Sequence, residues 1–304
     1  MEAQGSAFCR SPPRAVQAPE PAPGVLYLVG TPIGNLADIS LRALHVLSLV
    51  DTVACEDTRH TAALLQGYGL HKPLLAVHEH NEAEAAAQVI ARLAQGERVA
   101  YVSDAGTPAI SDPGARLVAA VAAAGYRVMP LPGASSVTTL LSAAGVVGEG
   151  GFVFTGFLTS KAAERQRAIE TLVGEQRAVV LLEAPHRIEA LAQALNILGG
   201  RLVTIGRELT KQFETVHTLE AQKLTAWFAE HTDRVRGEFA LVIHALEKPK
   251  TDPTEALDAS SLRTLKLLLT ELPLKTAVKM TSDITGVSKN LVYDTALSLK
   301  RGLD

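Results

Sequence analysis

The sequence predicts an α/β protein built from two α/β domains in tandem, a parallel doubly wound sheet and then a mixed sheet, with a small C-terminal helical domain. Three observations carry this. From Val25 onward short β-branched or aliphatic runs alternate with longer helical patterns, as in a sheet covered by helices on both faces. A glycine-rich break, GVVGEGG at 145–151, separates that series from a second one containing two strands with hardly any connection between them. Past a charged, proline-containing stretch the pattern turns wholly helical.

Residues 1–24, ending in QAPEPAPG, hold Pro12, Pro13, Pro19, Pro21 and Pro23 and no apolar run, and read as a disordered tail rather than a signal peptide. Over 25–144, VLYLV precedes SLRALHVLSLV, DTVAC precedes TAALLQGYG, and PLLAV precedes EAEAAAQVIARLAQG. RVAYV with ARLVAAVAAAG and RVMPL with ASSVTTLLSAAG complete the series. Strand–helix units repeated in this way predict a doubly wound, mainly parallel sheet. Over 145–246, FVFTG, RAVVLLE, RLVTIGREL, FETVHTLE and GEFALVIHAL read as strands, with helical patterns near 161–173, 186–198 and 221–231. FETVHTLE follows REL too closely for a crossover, so those strands are antiparallel and the second sheet is mixed. EKPKTDPTEA opens a linker over 247–258. Over 259–304 three helical patterns follow, with Gly286 turning the chain between the last two and Ser288 placed to cap the third. That is helix-turn-helix-like spacing.

A chain of 304 residues, 47% hydrophobic and 20% charged, can bury a large core. Its net charge of −3 excludes a globally basic nucleic-acid binder and confines any RNA-facing surface to a local patch. The C-terminal helices supply such a patch. Arg263, Lys266, Lys275, Lys279, Lys289, Lys300 and Arg301 outnumber Glu271, Asp283 and Asp294 there. These helices fit a structural cap as well as a nucleic-acid surface, and in the second case Lys275, Lys279 and Lys289 are the candidate RNA contacts. Cys9 and Cys55 cannot build a disulfide framework, and neither they nor any pair of histidines have metal-ligand spacing, so no metal is expected. Such cysteine usage points to a reducing compartment, and no apolar run approaches the ~18 residues of a membrane helix. A cytoplasmic protein with no membrane partner is expected.

In open α/β sheets ligands bind beyond the carboxyl ends of the strands. Four loops of unusual composition leave such ends: VGTPIGNLADIS (29–40), CEDTRHT (55–61), SDAGTPAISDPG (103–114) and LPGASS (131–136). All four should gather on one edge. VGTPIGN lacks the GK[ST] of a phosphate loop and the GxGxxG of a dinucleotide fold. Pro32 and Pro108 each delete an amide donor that a phosphate cradle would use. Small residues, carbonyls and close backbone approach suit a nucleoside better, and a cationic one would tolerate the surrounding aspartates. Each loop alone also fits a tight turn with helix caps; four on one edge argue for a ligand. Asp112, ahead of Pro113 and Gly114, reads as the cap of the next helix.

The motifs VGTPIGNLADIS, CEDTRHTAALLQGYG, HEHNE, SDAGTPAISDPG, PGASS, EAPHR, RELTK, FETVH and GEFALVI together resemble the tetrapyrrole methylase superfamily over about residues 25–246. Within it they resemble the ribosomal RNA branch, the 16S rRNA cytidine 2′-O-ribose methyltransferases, and the helical tail resembles the extra C-terminal domain of that branch. The resemblance implies two α/β domains with S-adenosyl-L-methionine (SAM) in the cleft between them. It implies methylation of a decoding-centre cytidine at its ribose 2′-hydroxyl, small-subunit rRNA or the small ribosomal subunit as partner, and a homodimer. The wider superfamily carries Gly-Asp-Pro after the fourth strand, where this chain has Gly106-Thr107-Pro108; the departure matches the rRNA branch and argues against a porphyrin-type substrate. The cofactor contacts implied are Gly30, Thr31 and Pro32, then Asp104, Ala105, Gly106, Thr107, Pro108 and Ile110. Ser135, Ser136, Glu183 and Ala184 complete them. Asp104 would offset the sulfonium charge or cap its turn.

Methyl transfer to a ribose oxygen is an in-line displacement from a good leaving group. Positioning can supply up to ~7–11 kcal/mol of the acceleration, and a base would help the weakly nucleophilic hydroxyl. Polar residues at strand ends include Glu56, Asp57, Arg59, Glu79, His80 and Asn81, and in the second half Glu183, His186, Arg187, Arg207, Glu208 and Lys211. The candidate catalytic set places Glu56 and Arg59 near the acceptor and Glu208 and Lys211 facing them across the cleft; no base is identified. Arg187 fits an RNA phosphate contact or an inter-domain salt bridge, Asp57 or Thr58 a helix cap, and Cys55 the core. Two other functions stay open, a tetrapyrrole-type small-molecule methylase and a catalytically silent rRNA-binding assembly factor. The basic helical tail speaks against the first, the intact cofactor loops against the second.

Overall fold

A computed structural model of the protein describes residues 22–78, 80–147, 151–246 and 257–301. Nearly all of the expected N-terminal tail and linker, the centre of the glycine-rich break, Cys9 and Glu79 lie outside the described residues. Strands β1 (Val25–Val29), β2 (Thr52–Cys55), β3 (Leu74–Ala76), β4 (Val99–Val102) and β5 (Arg127–Leu131) form one sheet in the order β3-β2-β4-β1-β5, every pair parallel. The helices between and after them are α1 (Leu41–Leu49), α2 (Thr58–Gly67), α3 (Glu82–Ala94), α4 (Ala115–Ala123) and α5 (Ser136–Ala143).

Alternate residues of each strand feed two separate cores. Tyr27, Val29, Val53 and Val102 pack on α1 and α2, while Leu26, Ala54, Val99 and Tyr101 pack on α3 and α4. Burial on both faces is why these strands read as unbroken apolar runs. The strand order also selects where a ligand can sit. From β1 the chain moves outward over β4 to β2, whereas from β4 it moves the opposite way over β1 to β5. The crevice opens where neighbouring strands send their connections apart, here beyond the carboxyl ends of β1 and β4.

One local expectation is corrected. Asp112 does not cap α4, whose N-terminal position is taken by Gly114 in a left-handed conformation without a side-chain cap (φ 123°). Glu82, buried at the start of α3, accepts instead from the amides of Gly114, Arg116 and Leu117 at 2.9, 2.9 and 3.2 Å. A carboxylate reaching from another helix satisfies the orphan first-turn donors. Glu82→Ala should lower stability by about 2–3 kcal/mol, because buried amides lose a charged acceptor. An unchanged urea midpoint would refute this.

The second sheet contains β6 (Phe152–Phe157), β7 (Ala178–Glu183), β8 (Leu202–Arg207), β9 (Thr215–Glu220) and β10 (Phe239–Ile243), in the order β6-β7-β10-β8-β9. β6 and β7 are parallel and the other pairs antiparallel, including the expected β8–β9 pair. Helices α6 (Ala162–Leu172), α7 (Ile188–Leu195) and α8 (Leu224–Ala229) cover one face through Leu181, Ile205 and Leu241. On the opposite face Val180, Ala240 and Val242 pack against Val137, Leu140 and Ala144 of α5 and its end. The last helix of the first series therefore lies on the second sheet, and the described residues up to Leu246 form one compact unit.

The remaining described residues form a second unit of three helices, α9 (Ala259–Glu271), α10 (Leu274–Thr285) and α11 (Lys289–Arg301). Asp258 caps α9 and Gly286 ends α10 at φ 73°. Leu265, Val278, Val292 and Ala296 form its core, and Lys275, Lys279 and Lys289 are exposed. Among the described residues no helix is long and apolar enough to cross a membrane.

Candidate active site

Three of the four loops interlock into one floor. Thr31 and Gly106 exchange backbone hydrogen bonds at 2.9 and 3.0 Å, joining the loops after β1 and β4, and the Thr31 hydroxyl donates to the Ser103 carbonyl at 3.1 Å. The loop after β5 rests on the first: a Cβ on Gly133 would meet the Gly30 Cα at 2.9 Å, so the backbones touch where only glycine fits. The Thr107 hydroxyl donates to the Ala134 carbonyl at 3.1 Å. The loop after β2 joins at the side, where the Asp57 amide donates to Asp104 Oδ1 at 3.2 Å.

A cavity of about 350 Å³ adjoins this floor. Of the residues expected to hold a cofactor, Ala105, Gly106, Thr107, Ile110, Ser135, Ser136, Glu183 and Ala184 line it. Gly30, Thr31, Pro32 and Pro108 are buried in the supporting floor instead, and Asp104 sits beside it bound to Asp57. The opposite wall comes from the second sheet, with Phe154, Leu182, Gly206 and Ala240 on the face that receives α5, Leu209 buried beside them and Glu238 exposed at the rim. Sequence reasoning missed this wall, along with Ile33, Ser111, Asp112 and Val137 from the first half. Strand periodicity was the available signal, since residues of even number on β7, β8 and β10 share one face.

Glu183 is 2% exposed and closes the strand behind the cavity. Its Oε1 lies 3.0 Å from the Arg187 Nε and accepts from the Ala184 amide at 2.9 Å. No described residue donates to its Oε2. Arg187 also donates to the Leu158 carbonyl, so this candidate RNA contact is engaged inside the second half.

The candidate catalytic residues lie at the margins, and none of the four lines the cavity itself. Glu56 is half-buried, and burial together with the nearby Asp104 and Asp112 carboxylates pushes its acid upward despite the Asp104 amide. The Arg59 side chain is 90% exposed and pairs with Asp57 at 2.9 Å. That guanidinium holds the Asp57 carboxyl at about 2, and the same carboxylate caps α2. Lys211 Nζ lies 3.0 Å from both Glu208 Oε1 and Glu238 Oε2. Burial opposes ionisation of Glu208 and Lys211, but their mutual contact and the Glu238 contacts outweigh it and favour both charges. The stem of Lys211 lies on Gly34, where a Cβ would meet its Cγ at 2.4 Å, so Lys211 spans from the second half to the loop after β1. The expected confrontation of Glu56 and Arg59 with Glu208 and Lys211 is thus replaced by two local ion pairs, Asp57–Arg59 and Glu208–Lys211. No cluster able to hold a metal occurs among the described residues.

A family model described as Tetrapyrrole (Corrin/Porphyrin) Methylases matches residues 25–225, and one described as RsmI C-terminal HTH domain matches residues 255–300. The chain is 47% identical over 276 residues to ribosomal RNA small subunit methyltransferase I of Pseudomonas aeruginosa, covering 90% of this chain and 97% of that one. It is 44% identical over 283 residues to the protein of the same name from Escherichia coli O157:H7, covering 92% and 97%. The crystal structure of uroporphyrin-III-C-methyltransferase from Thermus thermophilus shares the fold, with a TM-score of 0.52 and 21% identity over 73% of this chain and 94% of that one. By these matches and by the loops that build its cleft, the chain belongs to the tetrapyrrole methylase family, in its ribosomal RNA small subunit methyltransferase I group.

Proposed function

We propose that the protein transfers a methyl group from SAM to small-subunit (16S) rRNA, at the ribose 2′-hydroxyl of a decoding-centre cytidine. One observation carries the reading: a single cavity is built jointly by the interlocked loops of the first sheet and the face of the second, in a chain alike over nine-tenths of its length to proteins named for small-subunit rRNA methylation.

The residues present fit the cofactor. The volume falls within the roughly 300–1,000 Å³ of small-molecule sites. Ile33, Ile110 and Leu182 offer apolar wall to a nucleobase. Glu183 Oε2 is buried without a donor and suits an amino or hydroxyl group. Ser135 and Ser136 open α5, where hydroxyls and first-turn amides suit a carboxylate. When bound, SAM supplies an electrophilic methyl on a sulfonium.

The chain's own part is to hold the acceptor in line and keep water out. Arg59 is available to RNA phosphate, because its ion pair with Asp57 is exposed and screened by solvent and so is weak. Lys211 sits at the cleft rim, its charge favoured by two carboxylates that an incoming phosphate would replace. Lys275, Lys279 and Lys289 extend the RNA contact on the C-terminal helices. A homodimer and a cytoplasmic location beside the ribosome belong to this reading, and Phe152, 49% exposed on the edge strand β6, offers apolar surface for a second copy.

The test is transfer from labelled SAM to small ribosomal subunits, protein-free 16S rRNA and a tetrapyrrole in parallel. Label should enter RNA and be recovered as 2′-O-methylcytidine. Label on the tetrapyrrole, or RNA binding without transfer, would replace the reading by one of its competitors. In the same assay Arg59→Ala and Lys211→Ala should each cut RNA methylation about tenfold or more, as expected for about 1.4 kcal/mol per lost phosphate contact. SAM affinity should change less than about twofold. Wild-type rates in both variants would remove these residues from the acceptor side.

A further inference from the structure

We infer that Asp112 is the catalytic base that accepts the proton of the attacking hydroxyl; the assignment rests on the 2′-O-methylation reading above. Its side chain borders the cavity and does not cap the helix that follows it. The capping role its sequence position suggests belongs to Glu82, which accepts from the amides of Gly114, Arg116 and Leu117 at the start of α4. Asp112 instead lines the cavity, between the loop residues Thr107 and Ile110 and the Gly114 turn. Its backbone is fixed: the Pro113 carbonyl accepts from the Tyr101 hydroxyl at 2.8 Å and from the Ala109 amide at 3.3 Å.

The surroundings favour taking up a proton. Burial pushes the Asp112 acid upward, against a contact with the Ser103 hydroxyl, and Asp104 adds to the push. Glu56, beyond β2, is raised in turn by Asp104 and Asp112. Tyr101, also near, stays a neutral phenol because burial raises it strongly. Across the cavity Glu183 is matched by Arg187 and Glu238 by Lys211, and among the described residues no lysine or arginine lines the cavity beside Asp112. A sulfonium held in this cavity would favour the Asp112 carboxylate, and the neutral thioether left after transfer would not.

Asp112 therefore gains proton affinity at the moment the hydroxyl must lose its proton. It takes that proton as the O–CH3 bond forms and the S–CH3 bond breaks, with the electron pair staying on sulfur. A cation, an alcohol and a carboxylate become a thioether, an ether and a carboxylic acid, and the cleft's net charge is unchanged. Bulk water then removes the proton.

The experiment is single-turnover transfer to the RNA substrate by SAM-loaded protein across a pH series, with Asp112→Asn and Asp112→Glu beside the wild type. Wild-type rates should rise with pH to a plateau as the carboxyl ionises. Asp112→Asn should still bind SAM, more weakly because the carboxylate and the sulfonium favour each other, while transferring roughly 10²–10⁴-fold more slowly from the bound complex and losing the acidic limb. Asp112→Glu, which restores a carboxylate, should recover part of the rate and the limb. Near-wild-type transfer by Asp112→Asn with the limb intact would overturn the assignment. So would loss of SAM binding in Asp112→Asn without recovery of a pH-dependent rate in Asp112→Glu, which would make the residue a structural one. A wild-type protein that binds SAM but methylates no RNA would overturn the functional reading itself, and this inference with it.

Discussion

Replacing Gly106 by valine should weaken SAM binding severely while the protein still folds. Gly106 adopts φ 79°, in the left-handed region, while exchanging both backbone hydrogen bonds with Thr31 and lining the cavity. A Cβ there would meet Ile33 Cγ2 at 3.5 Å, an ordinary contact, so the obstacle is not the first carbon. Left-handed backbone costs a side-chain-bearing residue ~1–2 kcal/mol, and a β-branched one more. The cheapest relief is rotation of residues 105–108, which breaks the bridge to Thr31 and moves the cavity wall. Calorimetry should show affinity lower by at least about 30-fold, the equivalent of roughly 2 kcal/mol, with Gly106→Ala intermediate. A folded Gly106→Val variant with unchanged affinity would sink the cofactor assignment.

Ending the chain at Glu247 should leave SAM binding intact and, on the proposed function, weaken binding to rRNA. Every residue lining the cavity lies in the unit that ends at Leu246. The removed helices carry Lys275, Lys279 and Lys289, all exposed. Each phosphate contact contributes roughly 0.7–0.9 to the slope of log affinity against log salt through counterion release. Loss of these three should therefore flatten the slope by about 2–3, not merely lower the affinity. The comparison is RNA affinity of whole and shortened protein across a salt series. Equal slope and affinity would make the helices a structural cap.

The inner strands were legible because TVAC, VAYV and FALVI bury both faces and so spell themselves out as apolar runs; VLYLV and RVMPL match their strands residue for residue. The loops after β1, β4 and β5 were legible because turns need particular residues. The second wall was not. Gly206 and Ala240 are unremarkable inside strands, and only the packing of α5 onto the second sheet reveals which face borders the cavity. Asp112 was misread because its position obeys the local rule for a cap, whereas Glu82 arrives from elsewhere in the chain, and a tertiary contact leaves no mark at that spacing. The ion-pair partners of Arg59 and Lys211 were not legible, since sequence offers no means of choosing among the several carboxylates within reach.

The non-glycine residues with left-handed backbone among those described are Ala109, Ser111, Glu208 and Thr210, at φ between 50° and 67°. They fall in just two loops, one on each side of the cavity, and each conformation costs ~1–2 kcal/mol. Glycine would relieve that strain at Ala109, Ser111 and Thr210, whereas at Glu208 it would also remove the carboxylate that holds Lys211 and the Glu238 amide. A library of this protein screened only for heat resistance would therefore be drawn to the rim of the cleft, and its winners would be the variants whose two jaws had gone slack.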